Sequence, residues 1–154
     1  VIQKLKKKKL TSRISMIEFL SNCFDYDFYV TKDNTRFYIN DNLDLFLKES
    51  DPVLIFEKDD DIQGVIGVWR GKGKDEKRNY IKLCAKNYKV GKDLLTSLLW
   101  NTNFKELFVK IRKDSKFVKI FREKSFRFKA GRGCQILLHK KNKQENTCQI
   151  YQKQ

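Results

Sequence analysis

One stretch of the chain carries the residue types that handle a bound phosphate. It runs Leu83-Cys84-Ala85-Lys86-Asn87-Tyr88-Lys89-Val90-Gly91-Lys92-Asp93-Leu94-Leu95. Tyr80-Ile81-Lys82-Leu83 reads as the end of a strand, and Leu94, Leu95, Leu98 and Leu99 recur at helical spacing. A strand, a short loop and a helix start therefore follow one another. The first amides of a helix have no intrahelical acceptor, and with the helix dipole they favour an anion, most simply a phosphate or pyrophosphate. Gly91 permits close backbone approach there, and Lys86, Lys89 and Lys92 add positive charge.

Other reactive types are sparse. Cys23, Cys84, Cys134 and Cys148 lie 61, 50 and 14 residues apart, with no CxxC pair, and His139 is the sole histidine. That spacing gives no zinc site. It reads as small hydrophobes in a reducing compartment, which places the chain in the cytoplasm. A Cys-His nucleophilic pair using His139 has only arithmetic behind it. Glu57, Glu76 and Asp93 read as surface charges rather than a general base. Trp69-Arg70-Gly71-Lys72-Gly73-Lys74 suits stacking on a base or guiding an acidic substrate, but it reads more simply as a solvated hairpin loop.

The elements that position these residues follow from periodicity. Val1 to Leu5 alternates, and Thr11 or Ser12 offers an N-cap for a helix bearing Ile14, Ile17, Phe19 and Leu20. Residues 28–30 and 36–39 read as a strand pair, and 43–47 as a short helix. Val53 to Phe56, Ile62 to Arg70 and Arg78 to Cys84 read as three successive antiparallel strands, the first two joined by a turn at Lys58 to Asp61. A helix after Gly91 closes at Trp100, Leu107 to Ile111 is a strand, and Asp114 or Ser115 caps a helix with Phe117, Val118, Ile120 and Phe121. Two last strands, from Phe126 and from Gln135, flank a turn at Ala130 to Gly133 in which a glycine takes positive φ. One domain over residues 1–139 and a polar tail over 140–154 are expected.

Composition sets limits on function. The 154 residues carry 34 Lys and Arg against 19 Asp and Glu, a net charge of +15. At 40% hydrophobic and 13% aromatic content the chain is too apolar for a disordered basic tail. No run approaches the ~18 apolar residues of a membrane span, and the first residues lack the apolar core of a signal peptide. The excess is mostly lysine, 26 Lys to 8 Arg, whereas arginine makes the bidentate contacts to phosphate and guanine. Charge alone therefore divides evenly between a solvated face and a polyanion surface.

The order strand, helix, irregular region, three antiparallel strands, helix, strand, helix and two strands resembles the GCN5-related N-acetyltransferase fold. Two local patterns support the likeness. Leu83 to Leu95 resembles that family's strand, phosphate loop and G-x-x-L-L helix opening. Asp114 to Phe126 resembles its N-x-x-A-x-x-x-Y-x-x-x-G-F helix and the strand after it. The resemblance implies an α+β fold with α/β/α layers: a mixed, mainly antiparallel central sheet of about six or seven strands, with helices on both faces. It also implies acetyl-CoA, or another acyl-CoA, as co-substrate. The pyrophosphate would lie at Lys86, Asn87, Tyr88, Lys89, Val90, Gly91 and Lys92. The pantetheine arm and thioester would lie on the backbone of Leu83, Cys84 and Ala85, with Asp114 and Phe121 also lining the cofactor.

Phe121 stands where the family has the tyrosine that protonates the departing thiolate, and it has no proton to give. Tyr80, Tyr88 or Ser115 could take that role, water could, or catalysis has been lost. The leading expectation is an N-acyltransferase in which a substrate amine attacks the thioester directly. The alternative is a non-enzymatic nucleic-acid-binding domain on a degenerate acetyltransferase fold, with DNA, RNA or another polyanion as partner. The acceptor amine and the oligomeric state have no sequence signal, and no membrane partner is expected.

Overall fold

The computed structural model describes residues 2–4, 50–71 and 78–142. Short alternating and β-branched runs build a seven-stranded sheet: β1 (Ile2–Lys4), β2 (Ser50–Lys58), β3 (Asp61–Arg70), β4 (Asn79–Ala85), β5 (Glu106–Arg112), β6 (Arg127–Arg132) and β7 (Gln135–Lys141). Two helices, α1 (Tyr88–Asn101) and α2 (Val118–Glu123), complete the described elements. The sheet order is β1-β2-β3-β4-β5-β7-β6. Every neighbouring pair is antiparallel except β4 and β5, which run parallel with α1 between them in sequence.

Turn chemistry fixes the hairpins. Lys58 pairs with Asp61, so Asp59 and Asp60 form a two-residue turn with φ of 53° and 64°. Positive φ at both centres matches the twist of the flanking strands, and aspartate tolerates it. The final hairpin turns at Gly133 and Cys134, with Gly133 at φ 61°. Ala130 and Gly131 lie inside β6 rather than in the turn, where a register shift after Phe128 absorbs one residue.

One face of the sheet is covered by both described helices. Leu94, Leu95 and Leu98 of α1 are fully buried, as are Ile120 and Phe121 of α2, against Ile66, Ile81 and Leu138 of the strands. At about 25 cal/mol per Å² of apolar surface, such burial is the main favourable term in holding α1 on the sheet. Gly64 of β3 sets the approach: a Cβ there would meet Leu94 Cδ1 and Val90 Cγ1, both at 2.7 Å. Strand alternation puts Tyr80, Lys82 and Cys84 of β4 on the opposite face.

The α+β fold class expected from the sequence is the one observed, and β2 to β7 lie where the periodicity put them. Some details differ. α1 begins at Tyr88 rather than after Gly91, so most of the expected loop is the first helical turn. β7 runs to Lys141, past the expected end of the domain at residue 139. Cys84 is disulfide-bonded, which overturns its reading as an unlinked small hydrophobe; wide cysteine spacing carries no pairing signal. Cys134 is a free, exposed thiol. The helices expected at 11–20 and 43–47, the strand pair at 28–39 and the Lys72 to Lys77 loop lie outside the described residues. Among the described residues, no helix is long and apolar enough to cross a membrane.

Candidate functional site

Two neighbouring strands part company in the middle of the sheet. The ladder between β4 and β5 is a single pair, Tyr80 with Phe108, near the start of both strands. On its other side β4 pairs with β3 without interruption from Asn79 to Ala85. The Lys86 N–H donates to Gln63 O at 2.8 Å, and the Gly71 N–H to Arg78 O at 2.9 Å. In an antiparallel ladder hydrogen-bonded residues alternate, so Tyr80, Lys82 and Cys84 address β3. Leu83 turns its N–H and C=O the other way, toward β5, beyond the last pair. The result is a gap between parallel strands, lined on the β4 side by main-chain donors and acceptors.

The start of α1 stands at the end of this gap. Asn87 is its N-cap, with extended backbone and a side-chain oxygen that accepts the Val90 N–H at 3.0 Å. The Gly91 N–H goes to the Asn87 carbonyl at 3.1 Å. Helix geometry leaves the Tyr88 and Lys89 amides as the first-turn donors, and no acidic residue sits in that turn. Lys86, Asn87 and Lys89 are exposed.

Other expected site residues are engaged in the protein's own packing. Gly91 is buried: a Cβ there would lie 2.9 Å from Phe117 Cε1. Its missing side chain thus admits α2, and its amide is already bonded. Lys92 Nζ is 3.7 Å from Glu123 Oε2, and the Tyr88 hydroxyl donates to Glu123 Oε1 at 3.0 Å. Burial holds the Tyr88 hydroxyl above its ordinary titration range, and the Glu123 carboxylate adds to the effect. Glu123 therefore ties the start of α1 to the end of α2.

The segment before α2 is also locally satisfied. Asp114 pairs with Arg112 through two bonds of 3.1 Å, and Ser115 Oγ accepts the Phe117 N–H at 3.2 Å. Phe121 is fully buried, edge-on to Phe126 with ring centres 5.1 Å apart. It is a core residue, with no surface to present to a ligand. Tyr80 differs from the other two hydroxyl candidates: it is 3% exposed and its hydroxyl has no hydrogen-bond partner among the described residues.

Around Tyr80 is a group of side chains that sequence reading did not assemble. Lys110 Nζ stands 4.9 Å from the centre of the Tyr80 ring. The Phe108 ring is 5.9 Å from that of Tyr80 and stacks on His139 at 4.6 Å. Glu106 Oε2 lies 2.8 Å from His139 Nε2, so His139 belongs to a hydrogen-bonded pair and an aromatic stack. The alternation Leu107-Phe108-Val109-Lys110-Ile111 was the available signal, since it places Phe108 and Lys110 on one face.

No family model matches the chain, and no curated protein is similar to it in sequence. Solved structures are similar in fold. A GNAT-family acetyltransferase from Streptococcus pneumoniae superposes at TM-score 0.64 with 12% identity, over 92% of this chain and 99% of that one. The GNAT-superfamily phosphinothricin acetyltransferase of Sinorhizobium meliloti, in complex with acetyl-CoA, gives 0.67 at 10% identity, covering 92% and 87%. The PaiA N-acetyltransferase of Thermoplasma acidophilum, in complex with coenzyme A, gives 0.64 at 15% identity, covering 92% and 99%. With its split β4–β5 pair and the helix start beside it, the chain has the fold of the GCN5-related N-acetyltransferases.

Proposed function

We propose that this chain is an N-acyltransferase that moves an acetyl or other acyl group from acyl-CoA to a substrate amine. The observation that carries the reading is the gap between β4 and β5, opening beside the capped start of α1. Similarly folded proteins with acetyl-CoA or coenzyme A bound support it. The alternative of a non-enzymatic nucleic-acid-binding domain gains nothing from these likenesses.

The residues fit the group. Tyr88 and Lys89 amides, with the charges of Lys86 and Lys89, suit the pyrophosphate; Lys92 contributes less, being paired with Glu123. Leu83 C=O and N–H suit the amide-bearing arm, and the same N–H can stabilise charge developing on the thioester oxygen. The acceptor nitrogen attacks the carbonyl carbon, the C–N bond forms and the C–S bond breaks with its electron pair going to sulfur. One proton leaves the nitrogen for solvent, and one reaches the sulfur. Of Tyr80, Tyr88 and Ser115, Tyr80 is best placed to supply that second proton, because Tyr88 gives its own to Glu123 and Ser115 caps its local turn. Solvent then reprotonates Tyr80.

Thermal melting with and without acetyl-CoA tests the reading. At a hundred times Kd, binding adds about 2.7 kcal/mol of stability, or roughly 5–10 °C in a chain of this size. An unchanged melting temperature at millimolar acetyl-CoA removes it.

A further inference from the structure

We propose that the cavity at the C-terminal end of α1 is a second ligand site, and that it takes a small aromatic carboxylate between Trp100 and Lys140. The proposal goes beyond the acyltransferase reading and does not rest on it.

The cavity has a volume of about 570 Å³, within the range that holds small molecules. It lies where α1 ends and β5 begins, beside the last residues of β7. The capped start of α1 is at the other end of a 14-residue helix, about 21 Å away at 1.5 Å per residue. This is therefore not the β4–β5 gap. Leu99, Phe104 and Leu107 line the cavity and pack against the core. Trp100 lines it too, yet is 87% exposed and has no ring partner among the described residues. With half-buried Leu99 and Phe104 it leaves a contiguous apolar surface, which marks a binding groove. Its ring face suits offset stacking on another aromatic ring.

Charge sets the rest of the ligand's chemistry. Lys140 is the one charged side chain among the described residues that line the cavity. Its ammonium donates to Lys124 O at 2.7 Å and stands 6.0 Å from the centre of the Phe126 ring. Neither contact cancels its charge, and among the described residues no carboxylate pairs with it. Burial lowers its pKa below the ordinary lysine value and the Lys124 charge adds to that, as befits a cation without a counter-ion. One of its N–H donors fixes the ammonium in place. A ligand carboxylate can take another in a charge-assisted bond, the strong kind. The carbonyl end of a helix repels anions, but two of these carbonyls are already capped. Asn101 Nδ2 donates to Ser97 O at 2.8 Å, and Thr102 Oγ1 to Leu98 O at 2.6 Å. A ring on Trp100 with its acid group toward Lys140 completes both features.

The test is an NMR titration of the full chain, read at the indole N–H signals of Trp69 and Trp100, its two tryptophans. Trp69 is on β3 and serves as the control. Phenylacetate is compared with phenylacetamide, cyclohexylacetate and phenethylamine. Phenylacetate is expected to move the Trp100 signal saturably in the millimolar range and to leave Trp69 in place. The amide and the amine should bind about tenfold more weakly or not at all, and the non-aromatic acid severalfold more weakly. Lys140→Gln and Trp100→Ala should each weaken phenylacetate about tenfold, while Lys140→Arg and Trp100→Phe keep most of the affinity. Trp100 is exposed, so its variants fold whatever happens at Lys140. A Trp100 signal unmoved by millimolar phenylacetate overturns the proposal, as does equal binding of the amide or the amine. Unchanged affinity in Trp100→Ala overturns it, and so does a shift confined to Trp69. A Trp100 signal that moves with protein concentration alone assigns the surface to a second copy of the chain and overturns it too. Acetyl-CoA is absent from every arm, so failure of the acyltransferase reading alters none of these outcomes.

Discussion

Gly91→Ala separates two roles for one glycine. If Gly91 exists to let a phosphate approach, adding a methyl group harms ligand binding and leaves packing alone. The structure assigns the opposite. The new Cβ would sit 2.9 and 3.1 Å from two Phe117 ring carbons and 3.3 Å from Ile120 Cδ1, against a comfortable carbon separation of about 3.5–4.0 Å. Phe117 is 1% exposed and Ile120 0%, so neither can swing into solvent. Overpacking of this kind costs about 1–3 kcal/mol. Against it stands the gain from replacing glycine inside a helix, about 0.5–1 kcal/mol. At the middle of both ranges packing wins, leaving a net loss of roughly 1 kcal/mol, or about 2–4 °C of melting temperature. Denaturant titration measures it, and the cycle with Phe117→Leu identifies its source. With the ring gone, Gly91→Ala should become neutral or stabilising, a coupling of about 1 kcal/mol or more. The reasoning is refuted if Gly91→Ala alone stabilises the fold. It is equally refuted if stability is unchanged and only acetyl-CoA affinity falls.

Further outcomes follow from neighbouring residues. Tyr80→Phe removes a buried hydroxyl with no partner among the described residues, so melting should hold or rise while turnover with saturating acceptor falls about 10²-fold or more; unchanged turnover would assign the proton to water. Phe121→Tyr puts a hydroxyl into a fully buried site and should cost about 1–3 kcal/mol with no gain in rate, and a faster, equally stable variant would contradict that. For Tyr88 the pKa is raised from 10.0, first by burial and then by Glu123. The folded chain thus holds this proton more tightly than the unfolded one. Its contribution to stability is complete below about pH 10 and is lost as pH climbs through the folded value. Glu123→Gln should lower the late-titrating tyrosine absorbance toward, but not to, the ordinary value, because burial is the larger cause; a tyrosine spectrum unaltered by that change would show the bond is not made in solution.

Much of this fold was legible because periods of two and of 3.6 are visible in the order of apolar residues. Val53 to Phe56 and Leu107 to Ile111 gave strands, and Leu94, Leu95 and Leu98 gave the helix that crosses between parallel strands. The phosphate-handling stretch was legible as types and order. Its detail was not: Asn87 draws the helix start forward to Tyr88, and that depends on one side-chain bond to the Val90 amide. Gly91 shows the same limit, since a glycine that admits a ligand and one that admits a phenyl ring look alike until Phe117 is located. Lys92 and Tyr88 looked available until Glu123, some 30 residues later in sequence, was found between them. The ring-and-cation cluster on the second face was hidden for a related reason. It draws one to three residues each from β3, β4, β5, β6 and β7, and pairing across strands is not written in any local pattern. The Cys84 disulfide was illegible on the same grounds.

The claim that the β4–β5 gap receives acyl-CoA is tested most directly at Leu83. Its main-chain N–H faces the gap beyond the single Tyr80–Phe108 pair. An amide-resolved hydrogen-exchange or NMR titration of the full chain with acetyl-CoA reads that group alone. Slowed exchange and a downfield shift at Leu83, with matching changes at Tyr88 and Lys89 and saturation at a common Kd, are the expected result. Saturable binding that leaves Leu83 untouched, or no binding at all, would contradict it.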